Sequence, residues 1–262
     1  MRTAGPTRCR RTVRAPAAIL VVCMLVAAAC SGGGPDVSAP PGATAAAATD
    51  RPQQGGRIVE ASTTDLVTAQ PVLSNDSASG RVSGLLYDSL ITVDPKTGEP
   101  KPNMATWTVS SDGLAYTFVI NAKASWSDGM PVVAQDMLTG ITAVATSANT
   151  VRKPTFKDIA GFNEFKDGKA TSISGFAIDS GDPKKFTIKL AKVSCPAILQ
   201  IVSGVAGPLP THVFGRYLTP TSKPEDFDTA RENTSPTVFS GPFKLKEWRK
   251  GDQVILTRNE TY

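Results

Sequence analysis

The sequence predicts a mixed α/β (α+β) fold behind a long N-terminal extension. Three observations lead there. Short runs rich in aromatic and β-branched residues recur, and such residues suit half-buried strands. Between them stand segments whose apolar residues return at helical spacing. The two kinds alternate irregularly, with no internal repeat and no second hydrophobic span.

The N-terminus reads as an address rather than as fold. Arg2, Arg8, Arg10, Arg11 and Arg14 form a basic region without an acidic residue, and Ala15 to Ala29 is apolar. That stretch falls short of the roughly 20 residues a spanning helix needs, and its flanks are those of a signal peptide, placed at 1–29. Ala27, Ala28 and Ala29 lead directly into Cys30. The pattern resembles the lipobox of bacterial lipoproteins, in which the chain is cut before the cysteine and the thiol carries diacylglycerol. An ordinary cleavage site beside an incidental cysteine is the alternative. Residues 30–54 continue as low-complexity Gly, Pro, Ala and Thr. Such a segment buries too little apolar surface to offset its ordering entropy, so a disordered tether is expected.

The folded part is placed at 55–262. Arg57 to Ser62 reads as a strand. Ser77 to Leu90 reads as a helix with Val82, Leu85, Leu86 and Leu90 on its apolar face, capped by Asp76 or Ser77. Ile91 to Val93 is a short strand, followed by the turn Asp94 to Pro100. The central module is Met104 to Asp136. Leu114 to Ile120 is its strand, and Asp112-Gly113 and Asp128-Gly129 are turns, since Gly tolerates positive φ and Asp bonds locally to backbone. From Ala134 a helix runs to 147 through Met137, Leu138, Ile141 and Val144. Residues 147–174 are weakly patterned and partly helical. Ser174 to Asp179 and Lys185 to Leu190 read as an antiparallel pair. Pro196 to Val202 and Thr211 to Tyr217 read as short helices. Val238 to Trp248 and Asp252 to Arg258 form a hairpin turned at Lys250-Gly251.

Charge and composition prune the chemistry. The net charge of +5 equals the five arginines of the signal region, which leaves 23 basic and 23 acidic residues in the remainder. No basic footprint for nucleic acid remains. Cys195 is the single cysteine of the folded part and His212 the single histidine. They build neither a zinc site nor a Cys-His pair. Cys195 reads as a buried structural thiol, or as half of a disulfide with a partner beyond this chain. No phosphate-binding glycine loop and no nucleophile elbow is present, and no catalytic set can be assembled, so no enzyme and no cofactor is expected. Trp107 and Trp126 read as core.

Several motifs carry a family resemblance. L-L-Y-D-S-L spans 85–90, P-N-M-A-T-W spans 102–107, D-G-L-A-Y-T-F spans 112–118, W-S-D-G-M-P spans 126–131 and A-Q-D spans 134–136. P-T-H-V at 210–213, G-P-F-K-L-K-E-W at 241–248 and R-N-E-T-Y at 258–262 follow in order. Together they resemble bacterial extracellular solute-binding proteins of family 5, the oligopeptide- and dipeptide-binding lipoproteins of ABC importers. Asn121 departs from the usual Arg or Lys, and Val133 from a capping Thr.

The resemblance covers residues 55–262 and implies a periplasmic-binding-protein-like fold of two lobes. Of these the chain would hold the first lobe and a subdomain inserted at about 88–170. It implies peptides gripped through their backbone in an interlobe cleft, trapped by hinge closure, and handed to ABC permease subunits. It implies a monomer held to the outer face of the cell membrane, in the periplasmic space, through lipidated Cys30. By position, the loop Leu73, Ser74, Asn75, Asp76 and Ser77 matches the family loop that contacts ligand, although helix capping and plain solvent exposure explain the same residues. The same fold with another solute (a nickel complex, haem or an oligosaccharide) is one alternative. A truncated surface lipoprotein outside transport is the other.

Overall fold

The computed structural model describes residues 55–194, 197–202 and 207–262. The signal peptide, Cys30, the tether, Cys195 and Pro196 lie outside the described residues. Residues up to Glu60 form a unit separate from Ala61–Tyr262, and the fold described below is that of the second unit. Arg57 to Ser62 is not a strand, and Ile58 and Val59 are exposed. Two adjacent β-branched residues supply propensity but not a strand's ladder.

The chain orders its elements as helix, strands, helices and a closing hairpin. Helix α1 is Ser77–Leu86. It ends four residues before the expected Leu90, because Tyr87 turns to extended φ/ψ while its N–H still bonds Ser83 O at 2.9 Å. Of the expected Val82, Leu85, Leu86 and Leu90 face, Leu86 is buried, Val82 is half-buried against the core and Leu85 is exposed, while Leu90 is buried beyond the helix end; Ser79 and Ser83 complete the buried face. Strands β1 (Ile91–Val93) and β2 (Pro100–Pro102) pair antiparallel across the Asp94 turn.

A four-stranded antiparallel sheet follows, in the order β3 (Ala105–Val109), β4 (Ala115–Ile120), β6 (Lys185–Lys189), β5 (Phe176–Ile178). The pairing expected between β5 and β6 is present, and β3, which the sequence did not reveal, completes the edge. Alternation puts Phe118, Ile120, Phe186 and Ile188 on the buried face. Phe118 stacks on Phe186, and Phe186 on Phe176, each at 5.1 Å. Such offset aromatic pairs fix register as well as bury area.

Helix α2 (Ala134–Thr146) contributes Met137, Ile141 and Val144 to the core, all fully buried. The weakly patterned region holds two short helices, α3 (Lys153–Phe156) and α4 (Phe162–Lys166). Helices α5 (Ala197–Val202) and α6 (Thr211–Phe214) lie where expected, although a 3₁₀ turn replaces the end of the second. Helix α7 (Pro224–Asp228) was not legible. Strands β7 (Phe243–Arg249) and β8 (Gln253–Arg258) form the final hairpin, turned through Gly251 at φ +72°. Val238 and Phe239 pack in the core instead of extending β7.

Candidate functional site

The segment 66–77 leads into α1 and is held by side chains distant in sequence. Asn233 accepts from Ala69 N–H at 2.9 Å through its carbonyl, and the same carbonyl accepts from the Thr68 hydroxyl at 2.9 Å. Gln70 Nε2 reaches Asn233 Oδ1 at 3.4 Å, while Gln70 O accepts from Leu73 N (3.2 Å) and Ser74 N (3.0 Å). These bonds close a tight turn at Gln70–Ser74.

The five expected ligand residues do not share one orientation. Ser74 is buried, with its hydroxyl donating to Pro71 O at 3.1 Å, so it faces inward. Leu73 is half-buried and packs on the core. Asp76 is the N-cap of α1, accepting from Ser79 N–H through Oδ1 at 2.8 Å. Burial pushes its carboxyl up, but hydrogen bonds from the Ser79 N–H and hydroxyl and the Ala78 N–H outweigh that and hold it below the usual carboxylate range. Asp76 Oδ2 is buried without a hydrogen-bond partner among the described residues. Asn75 and Ser77 are exposed.

Sequence reasoning missed a second strand of contacts beneath this loop. The Thr150 hydroxyl donates to Val72 O at 2.7 Å, and Arg152 Nη2 donates to Ser74 O. Segment 147–150 is fixed in turn by Asp228, whose carboxylate accepts from the Ser147 hydroxyl and from the N–H groups of Ala148 (2.8 Å) and Asn149 (3.1 Å). Burial draws the Arg152 guanidinium below its ordinary pKa, and its Nε has no partner among the described residues. These pairs lie 78 to 81 positions apart, which leaves no local signal to read.

The W-S-D-G-M-P and A-Q-D motifs meet at Asp136, which is 2% exposed. Its Oδ2 accepts from Trp126 Nε1 (2.9 Å) and Val133 N (3.0 Å). Its Oδ1 accepts from Thr211 N (2.9 Å) and Thr211 Oγ1 (2.7 Å). Val133 has no side-chain oxygen, so only the returning half of a capping box exists at this helix start. Trp126 is fully buried, as core. Trp107 is half-buried against the same core. His212 Nε2 lies 2.7 Å from Asp128 Oδ2, which ties the start of α6 to the Asp128-Gly129 turn. Among the described residues, no cluster of His, Cys, Asp and Glu could hold a metal ion. No helix among them is long and apolar enough to cross a membrane.

Residues 99–262 match the model of the bacterial extracellular solute-binding proteins, family 5 Middle. The chain belongs to this family. A family 5 match over that range takes in the central sheet, the Asp136 cluster and Arg152. Among curated relatives, the "Probable ABC transporter-binding protein" of Deinococcus radiodurans is 31% identical over 214 residues, covering 79% of this chain and 33% of that protein. The oligopeptide-binding protein AliB of Streptococcus pneumoniae is 26% identical over 194 residues, covering 72% of this chain and 28% of its own length. The chain thus spans about a third of the length of such relatives. Among solved structures, an oligopeptide-binding protein of Borrelia burgdorferi matches with a TM-score of 0.61 at 28% identity, over 76% of this chain and 38% of that one. The lactococcal oligopeptide receptor OppA, closed on an endogenous peptide, matches with a TM-score of 0.64 at 22% identity, over 76% of this chain and 37% of its own, a likeness of fold alone. The mixed α/β architecture is therefore that of the periplasmic peptide-binding class, in part.

Proposed function

We propose that this chain is part of a non-catalytic receptor that captures extracytoplasmic peptides in an interlobe cleft and passes them to the permease subunits of an ABC importer. Family membership carries the proposal, and the relatives named for oligopeptide binding point to peptides. The loop Leu73–Ser77 is the ligand-facing element of this lobe. Asn75 and Ser77 present its open polar groups, while Asp76 and Ser74 shape it from within. In the same reading, residues 1–29 are a signal peptide, 30–54 a tether, 55–262 the binding portion and about 88–170 the inserted subdomain. A diacylated Cys30 would hold a monomer at the outer face of the membrane, since more than one acyl chain is needed for stable anchoring.

Thermal-shift measurements on the protein as its gene encodes it, against short peptides of varied length, test the ligand. A binder at 100 times its Kd stabilises by about 2.7 kcal/mol, a readily measured rise in Tm. No shift across a diverse peptide set would remove peptides as the ligand. Metabolic labelling with a palmitate analogue tests the anchor, and Cys30→Ser abolishes the label if Cys30 is the attachment site.

A further inference from the structure

We propose that Arg152 is the positioning residue of the ligand loop, acting with Thr150 to hold the Val72–Ser74 backbone in one place. The inference rests on the ligand role proposed above for Leu73–Ser77. Residues Leu73–Asp76 belong to no strand or helix, so no ladder fixes them. Ahead of the Asp76 cap, the loop's local bonds are the two short returns to Gln70 O, Val72 N–H on Gln70 Oε1 and the Ser74 hydroxyl on Pro71 O. The carbonyls of Val72 and Ser74 are instead taken up by Thr150 Oγ1 (2.7 Å) and Arg152 Nη2. The two donors are linked to each other, since Arg152 N–H donates to Thr150 Oγ1 at 3.2 Å. Thr150 N–H in turn donates to the Ser147 hydroxyl at 3.0 Å, and that hydroxyl donates to Asp228. The chain of bonds ends on α7, and Asn233, just beyond it, accepts from Thr68 and Ala69 in the segment leading into the loop.

Arg152 is a poor choice for stability alone. Among the described residues it forms no ion pair, and one of its nitrogens is buried with no acceptor. A half-buried cation without a counter-charge is costly. What the guanidinium adds over a neutral side chain is a rigid, planar donor set long enough to reach Ser74 O across the gap.

The test compares wild type with Arg152→Met, which keeps the packing stem, and Arg152→Lys, which keeps charge and one donor. Amide hydrogen exchange over 70–78 is the first readout. Exchange at Leu73 and Ser74 should rise roughly tenfold in the Met variant, the loss of one charge-assisted hydrogen bond, and recover in part in the Lys variant. Amides of α2 and β4 should keep their protection. The affinity for a peptide that binds wild type should fall by a similar factor. Unchanged exchange in the loop overturns the proposal. So does a uniform rise across α1, α2 and β4, which would assign Arg152 to bulk stability. So does a loosened loop with unchanged peptide affinity. Failure of wild type itself to bind any peptide sinks the functional reading instead. The loop exchange then still decides whether Arg152 positions that backbone.

Discussion

Asp136 and Arg152 are both charged residues drawn under the surface, and they are treated in opposite ways. Asp136 receives four hydrogen bonds, two on each carboxylate oxygen. Arg152 gives its side-chain bond to Ser74 O and, among the described residues, leaves Nε buried without an acceptor, while Asp76 leaves Oδ2 buried without a donor. Buried polar atoms are nearly always satisfied, so unsatisfied ones call for an account. The saturated cluster is a scaffold joint. It locks the Trp126 turn, the start of α2 and the start of α6 to a single carboxylate. Of the unsaturated pair, Asp76 lies in the loop proposed to meet ligand and Arg152 bonds its backbone. In the proposed role, position rather than stability is what this segment supplies, which fits unsatisfied groups there.

The contrast breaks first at Asp136. Asp136→Ala strands Trp126 Nε1 in the interior and removes the acceptor of the part-buried N–H groups of Val133 and Thr211. At about 1–3 kcal/mol for each unsatisfied buried group, partly relieved by relaxation, the expected loss is about 4 kcal/mol. Urea unfolding followed by tryptophan fluorescence measures it. A loss below about 1 kcal/mol would mean the joint is not a joint. Gly140→Ala, on the same helix, comes next. A Cβ there would fall against the backbone carbonyl of Gly207, which has no flexible side chain to yield. Overpacking of this kind costs about 1–3 kcal/mol, and the same unfolding curve reports it.

The two clusters also differ in how far the sequence revealed them. The Asp136 joint was half legible. Trp126 and Asp136 lie 10 positions apart, within a module whose turns and helix start are marked by Asp-Gly and Pro. Thr211 lies 75 positions away, and only its helix could be read. The loop network was illegible, because Asn233 reaches Thr68 across 165 positions and Asp228 reaches Ser147 across 81. Pattern reading fixes faces and periods, not which distant polar atom fills a given gap. The same blindness explains Ser74. Its place in the loop that matches the family's ligand loop points it toward the ligand, yet its hydroxyl turns inward to Pro71 O. It also explains the overlong α1. Leu90 keeps helical spacing, but Tyr87 leaves the helix to bury its ring against Phe239 at 6.3 Å.

The smallest effect sharpens the contrast most, since Asp76 serves both as cap and as the loop's acidic group. Asp76→Ala removes the acceptor for Ser79 N–H and should cost about 1 kcal/mol. Asp76→Asn should retain most of that at neutral pH, because Asn caps nearly as well as Asp. The two must then diverge with pH. The folded-state pKa of Asp76 is depressed, so the carboxylate stabilises the fold at pH values above its unfolded pKa of about 3.9, and that contribution is lost as pH falls through the lower folded value. The stability difference between wild type and Asp76→Asn should therefore be constant from pH 7 to pH 5 and shrink below pH 4. Urea midpoints for both proteins at pH 7, 5 and 3.5 give the comparison. A difference that grows on acidification would mean that the buried, partnerless Oδ2 dominates, and that Asp76 is held ionised against its own stability, as Arg152 is.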